Sequence, residues 1–364
     1  MTDSPDILPN IVQATSDYEA WLGAQIDLVK SDLKLKHARM ADDQFQFFRA
    51  TFYRWMQQWP RLCPELDGAP RLVAVGDLHI ENFGTWRDVE GRLIWGVNDY
   101  DEAHPLPYTL DLVRLAASAI LAARIGGLAI DPGLIGEAIL KGYRKGLSAG
   151  GRPFVLGEDF AWLREIAIAD LRDPARFAAR MNALAKPSYR VTKKLQKALA
   201  QRMPERGLEI VYRHRVAGLG SLGRRRVVAV ADWRGGVVVR EAKPIIPSAC
   251  AWAEGRPLAP ELFYREVVDR PDRCPDPWLT IQDGWVIRRL AADSSAIEMA
   301  RLPRGAERRL LAAMGRETAN IHLVGDRKAV RADLKARPKH WLQDAAHRML
   351  KAVEADWQAW RERD

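Results

Sequence analysis

Asp77 and Asn82 stand five positions apart in the run Val75-Gly76-Asp77-Leu78-His79-Ile80-Glu81-Asn82, and past one short hairpin comes Asn98-Asp99-Tyr100-Asp101-Glu102. An Asp followed at that distance by an Asn can hold a hydroxyl nucleophile and a Mg²⁺ ion side by side. A further carboxylate at the next strand end can bridge the metal to nucleotide phosphates. The two stretches read as the acid and metal half of a phosphoryl-transfer site. The competing explanation is that Asp77, His79 and Asn82 are turn residues capping a strand, as Asp and Asn often are. One short motif does not decide between them.

A second motif lies far downstream, where Gly218, Gly220 and Gly223 form G-x-G-x-x-G around Ser221. Glycines there let a backbone approach phosphates closely, with amide donors unobstructed by side chains. A dinucleotide fingerprint would need a helix to open at the last glycine. Instead Val227 to Val230, a turn at Asp232 to Gly236 and Val237 to Val239 spell a hairpin, which favours a loop that covers nucleotide phosphates. The second strand ends in Arg240-Glu241-Ala242-Lys243, where a cation for the α and β phosphates is expected. Counting from Gly223 favours Arg240. Lys243 is the alternative and, by strand alternation, lies on the opposite face. A Glu partner for this cation is expected from Glu261 or Glu266, on a helix over Ala259 to Val268.

These residues need elements to hold them. Phe45, Phe48, Phe52, Trp55 and Met56 recur at helical spacing and read as core. Arg71 to Val75 reads as a strand entering the Asp77 loop, Trp86 to Val97 as a hairpin around Glu90-Gly91 delivering Asp99, and the next helix holds Asp111, which resembles an acid that in related phosphotransferases ties this helix to the catalytic loop. Pro132 to Arg202 reads as helical, walling a substrate cleft, with Glu158, Asp159, Glu165 and Asp170 only partly aligned. Trp278 to Leu290 reads as a hairpin turning at Asp283-Gly284, leading to adenine contacts from the backbone of Leu290 to Ala292. The helix over Leu310 to His322 looks like the one that precedes the catalytic loop in small-molecule kinases. The tail from Pro338 presents Leu342, Ala346, Met349, Val353, Trp357 and Trp360 on one helical face.

The segments "DDQFQFFRATFYRW", "GDLHIENFG", "NDYDEA", "DLVRLAAS", "GLGSLG", "REAKPIIPSA" and "VIRRL", with the late helix ending "ANIHL", carry a resemblance. From Lys36 to Val324 the chain resembles domain of unknown function 2252, a bacterial family similar to aminoglycoside and choline phosphotransferases within the protein-kinase-like superfamily. That resemblance implies Asp77 as catalytic base, with Asn82 and Asp99 as metal ligands, and Gly218, Gly220, Ser221 and Gly223 as the phosphate cover; in the mechanism these suggest, Asp101 assists a second metal. It departs from the pattern at Val75, where a His is common, and at Arg240, where a Lys is. Ordinary kinases place the glycine loop before the catalytic loop, whereas here it follows by well over a hundred residues. The expected fold is therefore an α+β, two-lobed, protein-kinase-like fold, circularly permuted between the Leu310 helix and the Asp77 loop. Permutation is tolerable because packing places the elements.

The expected organisation is a helical lobe with the catalytic and metal loops (1–205), a nucleotide-binding β-rich lobe (206–295) and C-terminal helices packing back (296–364). The expected activity is ATP- and Mg²⁺-dependent phosphoryl transfer to a hydroxyl of a small molecule. The alternatives are a nucleotide-binding regulator without catalysis, which Arg240 favours, or an AMP-transferring enzyme. With 364 residues and 48% hydrophobic content the chain can bury a real core. No apolar run reaches membrane-spanning length and the start lacks a signal-peptide layout, so a cytoplasmic protein is expected. Three unpatterned cysteines indicate neither disulfides nor zinc. The net charge of +9 is scattered Arg without a basic-aromatic module, which disfavours nucleic acid as partner.

Overall fold

The computed structural model describes residues 8–157, 159–169, 173–255, 263–268, 273–294, 302–303 and 305–363. Five helices open the chain: α1 (Ile11–Gln25), α2 (Lys30–Asp42), α3 (Gln44–Ala50), α4 (Phe52–Leu62) and α5 (Pro64–Asp67). Strands β1 (Arg71–Ala74), β2 (Phe83–Arg87), β3 (Leu93–Val97) and β4 (His104–Pro107) lead to α6 (Tyr108–Arg124) and α7 (Ile135–Ala149). Next come β5 (Phe154–Val155), α8 (Ala161–Ala169), α9 (Pro174–Asn182) and α10 (Lys193–Ala200). The β-rich part holds β6 (Val211–His214), β7 (Val227–Trp233), β8 (Gly236–Pro244), α11 (Ala249–Ala253), α12 (Phe263–Val268), β9 (Thr280–Gln282) and β10 (Trp285–Leu290). Helices α13 (Ala306–His322), α14 (Arg327–Ala336) and α15 (Trp341–Arg361) close the chain.

This is a mixed α/β fold with three antiparallel sheets: β1-β4, β2-β3-β5 and β6-β7-β8-β10-β9. Both tight hairpins of the large sheet turn on left-handed pairs, Arg234-Gly235 (φ +49°, +84°) and Asp283-Gly284 (φ +55°, +79°). That backbone matches the strand twist, so the D-G and R-G dipeptides set register. Strand β7 is apolar on both faces because both are covered. Leu195, Ala198 and Leu199 of α10 pack with Val227, Ala229 and Ala231, and Phe177 and Met181 of α9 pack with Val228 and Val230. Helices α9 and α10 therefore belong with the sheet by packing, although the expected boundary at 205 assigns them to the helical lobe. The segment 132–202 is not wholly helical either, since β5 adds a strand beside β3.

The main core is built from α1, α3, α4, α6, α7, α13 and α15. Helix α15 buries Leu342, Ala346, Met349, Val353 and Trp360, with Trp357 partly covered, as its apolar face predicts. Helices α7 and α13 meet through reciprocal notches. A Cβ at Gly142 would overlap the Ala312 carbonyl, and one at Gly315 would overlap that of Ile139. The chain after α13 then passes against β1, where a Cβ at Gly325 would meet Leu72 at 2.7 Å. Among the described residues no helix is long and apolar enough to cross a membrane.

One ammonium sits in this core: Lys36 is 1% exposed, 5.9 Å from the Tyr53 ring centre. Burial pushes it down from 10.5 to about 8, against the attraction of Glu19. Between those values the unfolded chain holds a proton the folded chain has released, so Lys36 costs stability fully below pH 8 and less as pH rises toward 10.5. Lys36→Met is expected to raise stability at pH 7 by on the order of 2 kcal/mol, the gain fading by pH 10.5 in urea titrations; a pH-independent gain would contradict this. Gly142→Ala and Gly315→Ala should each cost about 2 kcal/mol or more. Gly68→Ala, where a Cβ meets nothing within 4 Å, should change stability by less than about 0.5 kcal/mol.

Candidate active site

The Asp77 loop is held from behind by α6. Asp111, fully buried, accepts hydrogen bonds from the Val75 and Gly76 amides at 2.8 Å each and faces His322 Nε2 at 3.0 Å. These contacts tie α6 and the end of α13 to the loop, the role expected of Asp111. Gly76 has φ +82°, and a Cβ there would overlap the Glu102 carbonyl, so glycine lets the two acidic loops abut.

One turn further along α6, Arg114 donates from Nε (3.0 Å) and Nη2 (2.7 Å) to Asp77 Oδ1. Its side chain is fully buried, with the guanidinium 3.7 Å from the Phe48 ring centre and 4.7 Å from that of Trp55. The aromatic helices expected as core thus also position an arginine, which sequence spacing did not reveal. Burial pushes the Asp77 carboxyl up, against the pull of Arg114 and Arg49. Its Oδ2 lies toward the glycine loop, 3.7 Å from where a Cβ on Gly220 would stand.

Asn82 Nδ2 donates to the carbonyls of Asp77 and Asp99, each at 3.2 Å, so one amide stitches the two loops and keeps Oδ1 as its acceptor. Lys243, 3% exposed, reaches across from β8 and places Nζ 2.9 Å from Asp99 Oδ1 and 2.7 Å from Asp101 Oδ1. Burial would raise the Asp99 carboxyl, but Lys243, Arg288 and Arg226 outweigh it and hold it well below the usual carboxylate range. Its Oδ2 makes no hydrogen bond among the described residues, and the side chain is 38% exposed.

The stretch 215–226 joins β6 to β7, and its Leu219 and Leu222 insert into the core. It is pinned by Val29 N to Gly223 O (2.7 Å) and by Arg224, which pairs with Glu102 at 3.3 Å. Gly218 (φ +71°), Gly220 and Ser221 line a cavity of about 60 Å³ together with Asp77, Asn82 and Asp99. Gly223 does not line it: a Cβ there would overlap Leu33 of α2, so this glycine serves packing rather than phosphate approach. The Ser221 hydroxyl accepts from Arg226 Nη2 at 2.7 Å.

Arg240 is a correction. Its side chain donates to the Arg202 carbonyl at 2.7 Å and stacks 5.0 Å from the Trp278 ring centre. Residues 241 and 243 point instead toward the cleft-lining Arg226 and Asp99. Between the two, Glu241 is wholly buried and bonded to Arg215, Arg226 (3.0 Å) and Arg288 (2.9 Å). This acid was not singled out in the sequence, although a Glu inside an apolar strand was a signal. Three guanidiniums on one carboxylate leave two positive charges beside Gly218. The expected Glu partner of the phosphate cation is not supplied by Glu266, which is exposed on α12; Glu261, like Glu158 and Asp170, lies outside the described residues. The buried Nδ1 of His79 has no hydrogen-bond partner among the described residues. Burial, reinforced by Arg49, holds that imidazole well below its usual range, so it is neutral.

A larger cleft of about 520 Å³ shares Arg49, His79, Asn82, Asp99 and Gly218 with the small cavity and runs out to Leu290 and Ala291. That size suits a nucleotide. Among the described residues no three His, Cys, Asp or Glu side chains form a metal cage. Mg²⁺ does not require one, since it commonly takes one or two carboxylates plus substrate phosphates and water. Asp99 Oδ2 and the Asn82 amide oxygen fit that pattern, and the Gly218–Gly220 backbone leaves the approach open.

Residues 28–206 match the family profile described as an uncharacterized protein conserved in bacteria, DUF2252. The match spans the Asp77, Asn82, Asp99 and Arg114 segments and stops before the glycine loop and Lys243. No curated protein and no solved structure matches the chain.

A double-mutant cycle tests the pair behind the loop. Arg114→Met strands a buried carboxylate and should cost about 3 kcal/mol or more in urea unfolding. Adding Asp77→Asn should recover more than half of that; strictly additive losses would show that the pair is not coupled.

Proposed function

We propose that this protein is an ATP- and Mg²⁺-dependent phosphotransferase acting on a hydroxyl of a small molecule. The carrying observation is that Asp77, Asn82 and Asp99 line one small cavity with the glycines at 218 and 220, although well over a hundred residues separate the two groups. Asn82 and Asp99, with Asp101 as a further acid, would hold Mg²⁺. When bound, the metal would neutralise phosphate charge and orient the triphosphate.

In this reading Lys243, with Arg226 and Arg288 around Glu241, offsets charge on the phosphates, and the Gly218–Gly220 amides cover them. The nucleoside lies toward Leu290–Ala291. Asp77 Oδ2 accepts the substrate hydroxyl's proton as its oxygen bonds to the γ-phosphorus and the bond to the β–γ bridging oxygen breaks, releasing ADP. Arg114 keeps Asp77 aimed while its Oδ1 is occupied. The arrangement supports a protein-kinase-like fold permuted between α13 and β1, because the chain leaving α13 passes against Leu72 of β1.

A second reading, nucleotide binding without phosphoryl transfer, is favoured by the Arg114 pair, which occupies Asp77 Oδ1 and opposes the rise that burial gives its carboxyl. AMP transfer is the third. Incubating the protein with γ-labelled and α-labelled ATP and a bacterial metabolite extract separates them. The γ label alone is expected on a metabolite, falling about 10²–10⁴-fold in Asp77→Asn and lost in Asp99→Asn. Lys243→Ala should weaken Mg·ATP binding by at least about tenfold, while Arg240→Ala should leave it within about twofold. Wild-type turnover in Asp77→Asn, or transfer of the α label, would refute the proposal.

A further inference from the structure

We infer that the cavity between α7, α13, β5 and α8 is a second ligand site, built for a compact, multiply charged phosphate. It holds about 670 Å³ and shares no lining residue with the cleft, so it stands independently of the nucleotide reading.

Its walls carry Lys141 and Lys145 from α7, Arg308, Arg309 and Arg316 from α13, and Arg152. Among the described residues the acid that lines it, Asp159, is taken by Arg152, and Arg308 pairs with Glu137 at 3.0 Å. Lys141, Lys145, Arg309 and Arg316 have no carboxylate within ion-pair distance among the described residues. Four like charges gathered round one concavity repel one another, and an anion there would relieve the repulsion.

Two of the guanidiniums also lie over aromatic rings. Arg309 lies 4.2 Å from the Trp162 ring centre, and Arg316 lies 5.2 and 5.5 Å from those of Phe154 and Phe160. A cation over an aromatic face is attracted to it and so positioned, and a guanidinium so held can still offer N–H donors to a phosphate. Arg316 Nε is buried with no acceptor among the described residues, a donor left unmet. A single concavity, rather than a charged groove tracking across the surface, points to a small ligand instead of a nucleic-acid strand.

Equilibrium dialysis with labelled tripolyphosphate tests the site. Wild-type protein and Lys243→Ala should both bind one equivalent that the triple variant Lys141→Ala/Lys145→Ala/Arg309→Ala loses, with affinity there down at least tenfold. All three replaced side chains are exposed, so the variant should fold, which circular dichroism checks. Equal stoichiometry and affinity in the triple variant would overturn the inference. So would capture of a single-stranded oligonucleotide that tripolyphosphate does not displace.

Discussion

Lys243 is the point at which two halves of the molecule become one site. Its ammonium comes from the middle of the five-stranded sheet, and its two carboxylate partners come from the loop that follows β3. At the end of a long, buried reach its ammonium is met by Asp99 and Asp101. Those two acids in turn can stand side by side because a cation lies between them. The sheet and the loop after β3 are therefore registered against each other by an electrostatic constraint rather than by apolar contact alone. Removing either side would leave buried charge uncompensated.

The same economy runs through the rest of the centre. Arg114 is buried for Asp77, Arg224 pairs with Glu102, and Glu241 gathers three arginines, so each buried charge is matched and the surplus is positive and faces the cleft. The apolar core supplies the rigidity these pairs need. Phe48 and Trp55 both pack against Arg114, and Leu219 and Leu222 anchor the glycine loop in the helical core. With Val29 bonded to Gly223 and Leu33 filling the space beside it, the loop is fixed to α2 at its far end.

Much of this was legible in the sequence where chemistry and spacing are local. The Asp77–Asn82 interval, the hairpins at Glu90-Gly91 and Asp283-Gly284, and the single apolar face of α15 each carry their own signal within a few residues. What was not legible depends on which face of an element meets which partner. Counting along β8 favoured Arg240, but the face toward the cleft holds 241 and 243, and only the pairing of β8 with β7 and β10 fixes that. Arg49 and Arg114 look like ordinary helix surface charges until α3, α4 and α6 are packed. The glycine at 223 fits the phosphate motif by spacing, yet its neighbour is a leucine from a helix nearly two hundred residues earlier.

The central claim is convergence on a single magnesium nucleotide, and metal-directed cleavage reads it directly. Fe²⁺ substituted for Mg²⁺ in the presence of ATP, with ascorbate and peroxide, cuts backbone within reach of the metal. The account predicts ATP-dependent cuts at both 77–82 or 99–101 and 218–221 in the same molecule. Cuts confined to one of these stretches, or unaffected by ATP, would contradict it.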